Sequence, residues 1–379
     1  MSLIYSNEQL MLKDSAQKFF KEKSPISQIR YLRDSNDSKG FAASVWNDLT
    51  EMGFASVLVP EHFGGMGMGY VEAGIISEQI GHQLTAVPFL STSIAAVSAI
   101  CHSGTDFQKT KWLPKLMSAK AIATLAVDEQ PKHKPEFISL KANANEFGFV
   151  LNGSKTFVLD GHVADLLVVA ARRAGKPGDK EGITLFLVSS DTPGITVERT
   201  HMVDYHNAAR VTFKDVKVAT DSVLGQVDEG WIPLTFALNA ARICAASELL
   251  GLADEAFART IEHLKTRKQF GRLIGEFQAL QHRMSQLYCE LEITRSAIIF
   301  AQKQMDFFPE ASSWDVSVAK ARAGLTANLA VQEAIQMHGC IGMTDEFDIG
   351  FFMKRARVLQ EIFGDSNFHL NQIALLKNY

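Results

Sequence analysis

The chain has few cysteines, and none of its four (Cys101, Cys244, Cys289, Cys340) has another nearby in sequence. With no Cys-x-x-Cys pair, a zinc ribbon or a thioredoxin-type centre is excluded. Scattered thiols suit a reducing compartment, and a cytoplasmic location is expected. Long hydrophobic runs are also missing. No stretch is read as approaching the roughly 18 apolar residues of a membrane span, so none is expected. The first twenty residues mix Glu8, Lys13, Asp14 and Lys18 with apolar positions, which predicts an amphipathic helix rather than a signal peptide. Neither sign of charge dominates. Lys plus Arg number 38 against 42 Asp plus Glu, so no basic face for a nucleic acid is expected. The one short basic run is Lys354, Arg355 and Arg357.

Several catalytic motifs are absent. There is no His-Glu-x-x-His for a zinc protease and no Gly-x-Ser-x-Gly for a serine hydrolase, and no metal site is expected. The glycine run Gly64, Gly65, Gly67, Gly69 fails the dinucleotide fingerprint because Tyr70 occupies its last position; it reads as a flexible connection. Between Gly148 and Lys155 a phosphate loop fails because Ser154 separates Gly153 from Lys155. His82, His102, His201 and His206 stand alone in the sequence and read as surface or hydrogen-bonded residues rather than ligands.

What is present fits a globular chain of two or three domains. It has 379 residues, 46% hydrophobic and 21% charged. Residues 7–118 read mostly as helices, with Leu10, Leu12, Ala16, Phe19 and Phe20 at helical spacing. From Ala121 to Gly225 the pattern turns to short β-branched runs: 122–127, 149–151, 156–159, 166–171, 183–188 and 211–218. Asn152-Gly153 predicts a hairpin turn between two of them. No helical pattern intervenes, so an antiparallel barrel or sandwich is expected. From Trp231 onward long helices return. Leu280, Met284, Leu287, Leu291, Ile298, Ala301 and Met305 form a bundle stripe, broken at Phe307-Phe308-Pro309, and a further helix covers about 314–338. The fold class is therefore α+β: an N-terminal helical domain (1–120), a middle antiparallel β-barrel or sandwich domain (121–228) and a C-terminal four-helix bundle (229–379). Taken alone, Arg267 to Gly271 reads as a helix end with a glycine stop, and Gln336 to Gly342 as the termination of a long helix.

Seven segments, in order, carry a resemblance. They are Val59-Pro-Glu-His-Phe-Gly-Gly65, Leu151-Asn-Gly-Ser-Lys155, Asp160-Gly-His-Val-Ala-Asp165, Phe213-Lys-Asp-Val-Lys-Val218, Leu224-Gly225, Arg267 to Gly271 with Gln278, and Gln336 to Gly342. Over essentially its whole length the chain resembles the acyl-CoA dehydrogenase family. The resemblance implies the same three-part fold. It also implies FAD as cofactor, an acyl-CoA thioester as substrate, 2,3-enoyl-CoA as product, an electron-carrier flavoprotein as acceptor, and a homo- or heterotetramer. It implies that Arg267, Phe270 and Gln278 reach the FAD of a neighbouring subunit. Gln336 and Gly339 would lie near its adenosine-pyrophosphate portion, Val127, Asp128, Phe157 and Leu159 would cradle the flavin, and Arg242 and Asn239 would contact substrate.

The sequence departs from the family where chemistry is done. The flavin-cradling loop carries Thr-Glu-Pro and then Gly-Ser-Asp in the family; here it reads Asp128-Glu129-Gln130-Pro131-Lys132-His133. The family's Trp-x-Thr corresponds to Phe157-Val158-Leu159, and Leu159 has no hydroxyl. The two base positions of the family correspond to Phe363 and to Ala241, which precedes Arg242; neither can accept a proton. Asp365 is the nearest carboxylate and the candidate base, with capping of its own loop as the competing role. The Phe363-Gly364-Asp365 and His369 pattern resembles the branch of the family in which two different subunits assemble. Two alternatives follow: a non-catalytic partner that completes the FAD site of a paralogous subunit, or a flavin monooxygenase or oxidase on the same fold.

Overall fold

The computed structural model describes residues 3–379. Six helices come first: α1 (Asn7–Lys23), α2 (Ser27–Ser35), α3 (Ala43–Glu51), α4 (Tyr70–Gln83), α5 (Val97–Ser103) and α6 (Asp106–Met117). Eight strands follow: β1 (Ala123–Ala126), β2 (Lys141–Asn145), β3 (Gly148–Leu159), β4 (Leu166–Arg172), β5 (Ile183–Ser189), β6 (Ile195–His201), β7 (Asn207–Ala219) and β8 (Val223–Leu224). The chain closes with α7 (Trp231–Thr266), a small hairpin of β9 (Lys268–Gln269) and β10 (Arg272–Leu273), then α8 (Gln278–Phe307), α9 (Ser313–His338), α10 (Ile349–Glu361) and α11 (Ser366–Leu376). The observed order is helices, sheet, helices.

Local signals explain several boundaries. Ser6 and Gln9 form a capping box at the start of α1, each side chain bonding the other's backbone N–H, and Thr105 and Gln108 repeat it at α6. Gln108 is buried and also donates to the carbonyls of Asp221 and Val223, which ties α6 to the end of the sheet. The stripe on α8 is buried at Met284, Leu287, Leu291, Ile298, Ala301 and Met305, and the helix ends at Phe307. The connection at Gly64–Gly69 is tightly bonded rather than flexible. Gly65, Gly67 and Met68 donate to the carbonyls of Pro60, Val59 and Val57, and a Cβ on Gly65 would lie 2.1 Å from the Val59 oxygen.

The chain forms two compact units from non-contiguous segments. One comprises 1–31, 70–85 and 242–379; the other comprises 32–69 and 86–241. The first is helical apart from the β9–β10 hairpin. The second holds the whole sheet, with strand order β6-β7-β3-β2-β4-β5-β8 and β1 beside β4. Most ladders are antiparallel, but β1 pairs with β4 in parallel, so the sheet is mixed. Strand β4 is buried throughout, as its Leu-Leu-Val-Val-Ala-Ala run requires. At its end Arg172, 6% exposed, donates to the carbonyls of Glu136, Ile138, Ala174, Asp179 and Glu181.

The predicted Asn152-Gly153 hairpin is wrong. Strand β3 runs straight through it, merging the runs 149–151 and 156–159. The pair marks a bulge opposite β7, where Asn152 and Asp215 exchange hydrogen bonds and Gly153 takes φ +145°. The real turn joins β2 to β3 through Glu146-Phe147, with Asn145 opposite Gly148. The reading of membrane-span length also needs correction. Helix α7 contains an 18-residue window of mean hydropathy 1.3, but 94% of it is buried inside the fold, as in a core helix.

Candidate functional site

The residues implicated in cofactor binding occupy two settings. In the sheet-bearing unit, Val127 and Asp128 follow β1, while Phe157 and Leu159 end β3. Asp128 O accepts from Thr156 N at 2.7 Å, so the two segments lie side by side. Between Lys155 and Val158 the register of β3 slips. There Phe157 takes φ +50°, a conformation that costs a non-glycine residue energy, and stays 54% exposed. An aromatic left this exposed offers a face to a planar ring.

In the helical unit, α7 ends at Thr266 and the chain turns at once into the β9–β10 hairpin. Gly271 is therefore a turn residue and not a helix stop. Phe270 and Gly271 form the two-residue turn, both with positive φ (+54° and +80°), as the primed hairpin turns require. Phe270 is 90% exposed, and the site of a Cβ on Gly271 has nothing within 4 Å. The hairpin is braced below its tip by the Arg272 guanidinium, 4.1 Å from the centre of the Phe277 ring. Arg267 and Gln278 are exposed nearby in sequence. Helix α9 ends at His338, after which Gly339 takes φ +65° with open space in front of it, and Gln336 is exposed one turn earlier. Aromatic faces, a free amide, a guanidinium and open glycine backbone suit a dinucleotide such as FAD.

Of the two roles read for Asp365, base and cap, its contacts show the cap. Asp365 is the N-cap of α11, its carboxylate accepting from Phe368 N at 2.7 Å. The preceding turn is fixed from below. Lys320 is buried in α9 and donates to the carbonyls of Leu359 (3.0 Å), Gln360 (3.2 Å) and Gly364 (3.1 Å). Burial, and then the Arg242 charge, push its pKa down to about 7. Arg242, only 7% exposed, donates from Nε to Phe363 O at 3.0 Å and lies over the Phe368 ring. Phe363 itself has φ +58°, and Gly364 has no room for a Cβ, which would meet Phe368 at 2.3 Å. Arg242, expected to contact substrate, thus braces the Phe363 turn. Asn239, one turn earlier on α7, is 2% exposed, and Ala241 is fully buried.

Two groupings escape a reading along the chain. Asp128 pairs with His133, whose Nδ1 lies 2.8 and 3.0 Å from the carboxylate oxygens. His82, read as solitary, sits among Glu78, Asp254 and Glu255. Glu78, His82 and Asp254 bring ligand-type atoms within 4.8 Å of one another. Lys13 and Arg295 already pair with Glu78, and Arg295 with Asp254, so the charge there is matched by protein. The Glu78–His82 spacing of four along a helix was the available sequence signal; the partners came from distant segments.

The comparisons with known proteins agree with this layout. Family models for the acyl-CoA dehydrogenase N-terminal, middle and C-terminal domains match residues 6–120, 130–216 and 228–375. The chain is 30% identical to the short/branched chain specific acyl-CoA dehydrogenase, mitochondrial, of Bos taurus, over 98% of this chain and 85% of that one. Among solved structures, the glutaryl-coenzyme A dehydrogenase glutaryl-CoA complex superposes with a TM-score of 0.91 at 25% identity, covering 100% of this chain and 97% of that one. A variant of the Tcur3481-Tcur3483 steroid ACAD superposes with a TM-score of 0.88 at 27% identity, covering 98% of each. With all three domain models matched in order, the chain belongs to the acyl-CoA dehydrogenase family of FAD-dependent oxidoreductases.

Proposed function

We propose that this chain is an FAD-binding subunit of an acyl-CoA dehydrogenase that oxidises a CoA thioester to its 2,3-enoyl-CoA within a heterotetramer, a homologous chain supplying the carboxylate base. One observation carries the second half of this reading. The family resemblance sets Phe363 and Ala241 at the two base positions, and the candidate carboxylate, Asp365, caps α11. A buried or capping carboxylate tied to a backbone N–H cannot also swing to a substrate α-carbon without losing that bond.

Bound FAD supplies the acceptor for the hydride that leaves the β-carbon. The residues of this chain hold and orient. Val127, Asp128, Phe157 and Leu159 form the candidate flavin wall, while Gln336 and Gly339 offer an amide and open backbone to an anionic group. Arg267, Phe270 and Gln278 form an arm suited to reach a second subunit, since Phe270 is 90% exposed at a positive-φ turn and meets the Phe277 ring only edge-on at 6.2 Å. Arg242 and Lys320 keep the Phe363 turn rigid. The mixed assembly is also supported by similarity to the paired Tcur3481-Tcur3483 steroid ACAD. Electrons would pass on to an electron-carrier flavoprotein. Four free cysteines suit a reducing compartment such as the cytoplasm. A purely structural partner role, and a monooxygenase or oxidase activity, are not favoured by relatives that are named as dehydrogenases.

The test is the visible absorbance spectrum and acyl-CoA turnover of the chain purified alone and co-expressed with a homologous subunit. Flavin retention with turnover only in the mixed preparation is the expected result. Turnover by the chain alone at the rate of the mixture would overturn the shared-base reading.

A further inference from the structure

The loop from Asp128 to Leu140 begins with the segment 128–133, which the resemblance sets against the family's flavin-cradling sequence, and it is held at both ends. At its start, Lys155 is fully buried and donates from Nζ to Val127 O (2.9 Å) and Glu129 Oε1 (2.7 Å). Thr156 N donates to Asp128 O. At its far end, the Glu129 carboxylate accepts from Ser139 N (2.8 Å) and Leu140 N (3.0 Å), and Arg172 donates to Ile138 O and Glu136 O. Between these anchors the loop folds back on itself. His133 Nδ1 meets both Asp128 oxygens, and Lys134 N donates to Asp128 Oδ1 at 3.3 Å. The His133 side chain is 4% exposed and that of Asp128 18%. An ionised carboxylate only accepts, so Nδ1 carries the proton and donates.

We infer that Asp128 and His133 form a clasp that presets this loop for FAD, with His133 as a positioning residue. The inference rests on the reading of Val127, Asp128, Phe157 and Leu159 as the flavin wall. Two physical effects act together. The clasp orders residues 128–134 before the cofactor arrives, so less conformational entropy is lost on binding. It also gives the Asp128 carboxylate a donor within its own loop, so that its charge is not left unpaired beside an apolar flavin ring.

The experiment is FAD titration of the deflavinated full chain, co-expressed with its homologue if required, followed by flavin fluorescence, with hydrogen exchange of residues 128–140 as a second readout. His133→Ala is expected to weaken FAD binding about tenfold or more, as loss of a charge-assisted hydrogen bond implies, and to speed exchange across the loop. His133→Asn, which keeps a donor near the Nδ1 position, is expected to restore most of both. Equal affinity and equal protection in His133→Ala would overturn the clasp alone. A wild-type preparation that binds no FAD would overturn the flavin wall itself and the clasp with it. Failure of His133→Asn to restore binding would overturn the assignment of Nδ1 as the acting group.

Discussion

Asp365 and Asp306 show how differently two carboxylates serve one fold. Asp365 caps α11 through Phe368 N. Asp365→Ala is expected to cost about 0.5–2 kcal/mol in a urea titration, the range for a lost N-cap. Asp365→Asn keeps the acceptor, and acyl-CoA turnover of the assembled enzyme should then be unchanged; a large loss of turnover with normal stability would restore Asp365 as the base. Asp306 accepts from Tyr70 N at 2.6 Å and so caps α4 from another helix. Burial pushes its pKa up from 3.8 to about 6, against the hydrogen bonds from Tyr70 and Val71. The folded state therefore holds this proton more tightly than the unfolded state does. Stability from this group is present in acid and falls as pH rises from about 4 to about 6. Asp306→Asn keeps the cap without the buried charge, so its urea midpoint should gain on wild type between pH 4 and pH 7.5.

Among the elements, the β9–β10 hairpin and strand β3 depart furthest from what their residues announce. Two-residue strands carry no periodicity, so the hairpin at Lys268 to Leu273 is invisible to pattern, and Gly271 passes for a helix stop. Asn152-Gly153 is a good turn signal that tertiary structure overrode, because Asp215 on β7 offers the asparagine a partner that keeps the strand paired. Strand β6 escaped because it lies at the sheet edge and is mostly exposed, with Glu198, Arg199 and His201 in place of an alternating face. Phe270 gives the element a test. It is exposed in the single chain, so Phe270→Ala should leave the unfolding free energy from a urea titration within about 0.5 kcal/mol. In the assembled enzyme, loss of one aromatic contact should weaken FAD retention by about 1 kcal/mol, roughly fivefold, read by flavin fluorescence after gel filtration. Lost stability with unchanged retention would remove the cross-subunit arm.

At the scale of the molecule, a buried charge network joins segments far apart in sequence. Within the helical unit Glu78 on α4 pairs with Lys13 on α1 and Arg295 on α8, each at 3.1 Å, while Arg295 also reaches Asp254 on α7. Burial pushes the Glu78 carboxyl up, but Lys13, Arg295 and His82 outweigh it and hold the pKa below the usual value; at Asp254 burial wins and the pKa is raised. Arg295→Met leaves the buried Glu78 with Lys13 and His82 and the partly buried Asp254 without its arginine. It should cost about 3–5 kcal/mol at neutral pH, measured by chemical denaturation. A cost below about 1 kcal/mol would mean that water or Lys13 carries the charge instead.

The sequence alone determined the order of helices, sheet and helices, the buried stripe of α8, the end of that helix at Phe307, and the family. These follow from periodicity, turn residues and ordered motifs, which are local along the chain. It also showed that Phe363 and Ala241 cannot act as bases, because residue chemistry needs no coordinates. Tertiary structure decided the rest. It set Asp365 as a cap, Arg242 and Lys320 as braces of the Phe363 turn, His133 against Asp128, and the parallel partner of β1. Each of these depends on which backbone or charge lies opposite a side chain, and that is fixed by the return of distant segments rather than by any residue's neighbours in sequence.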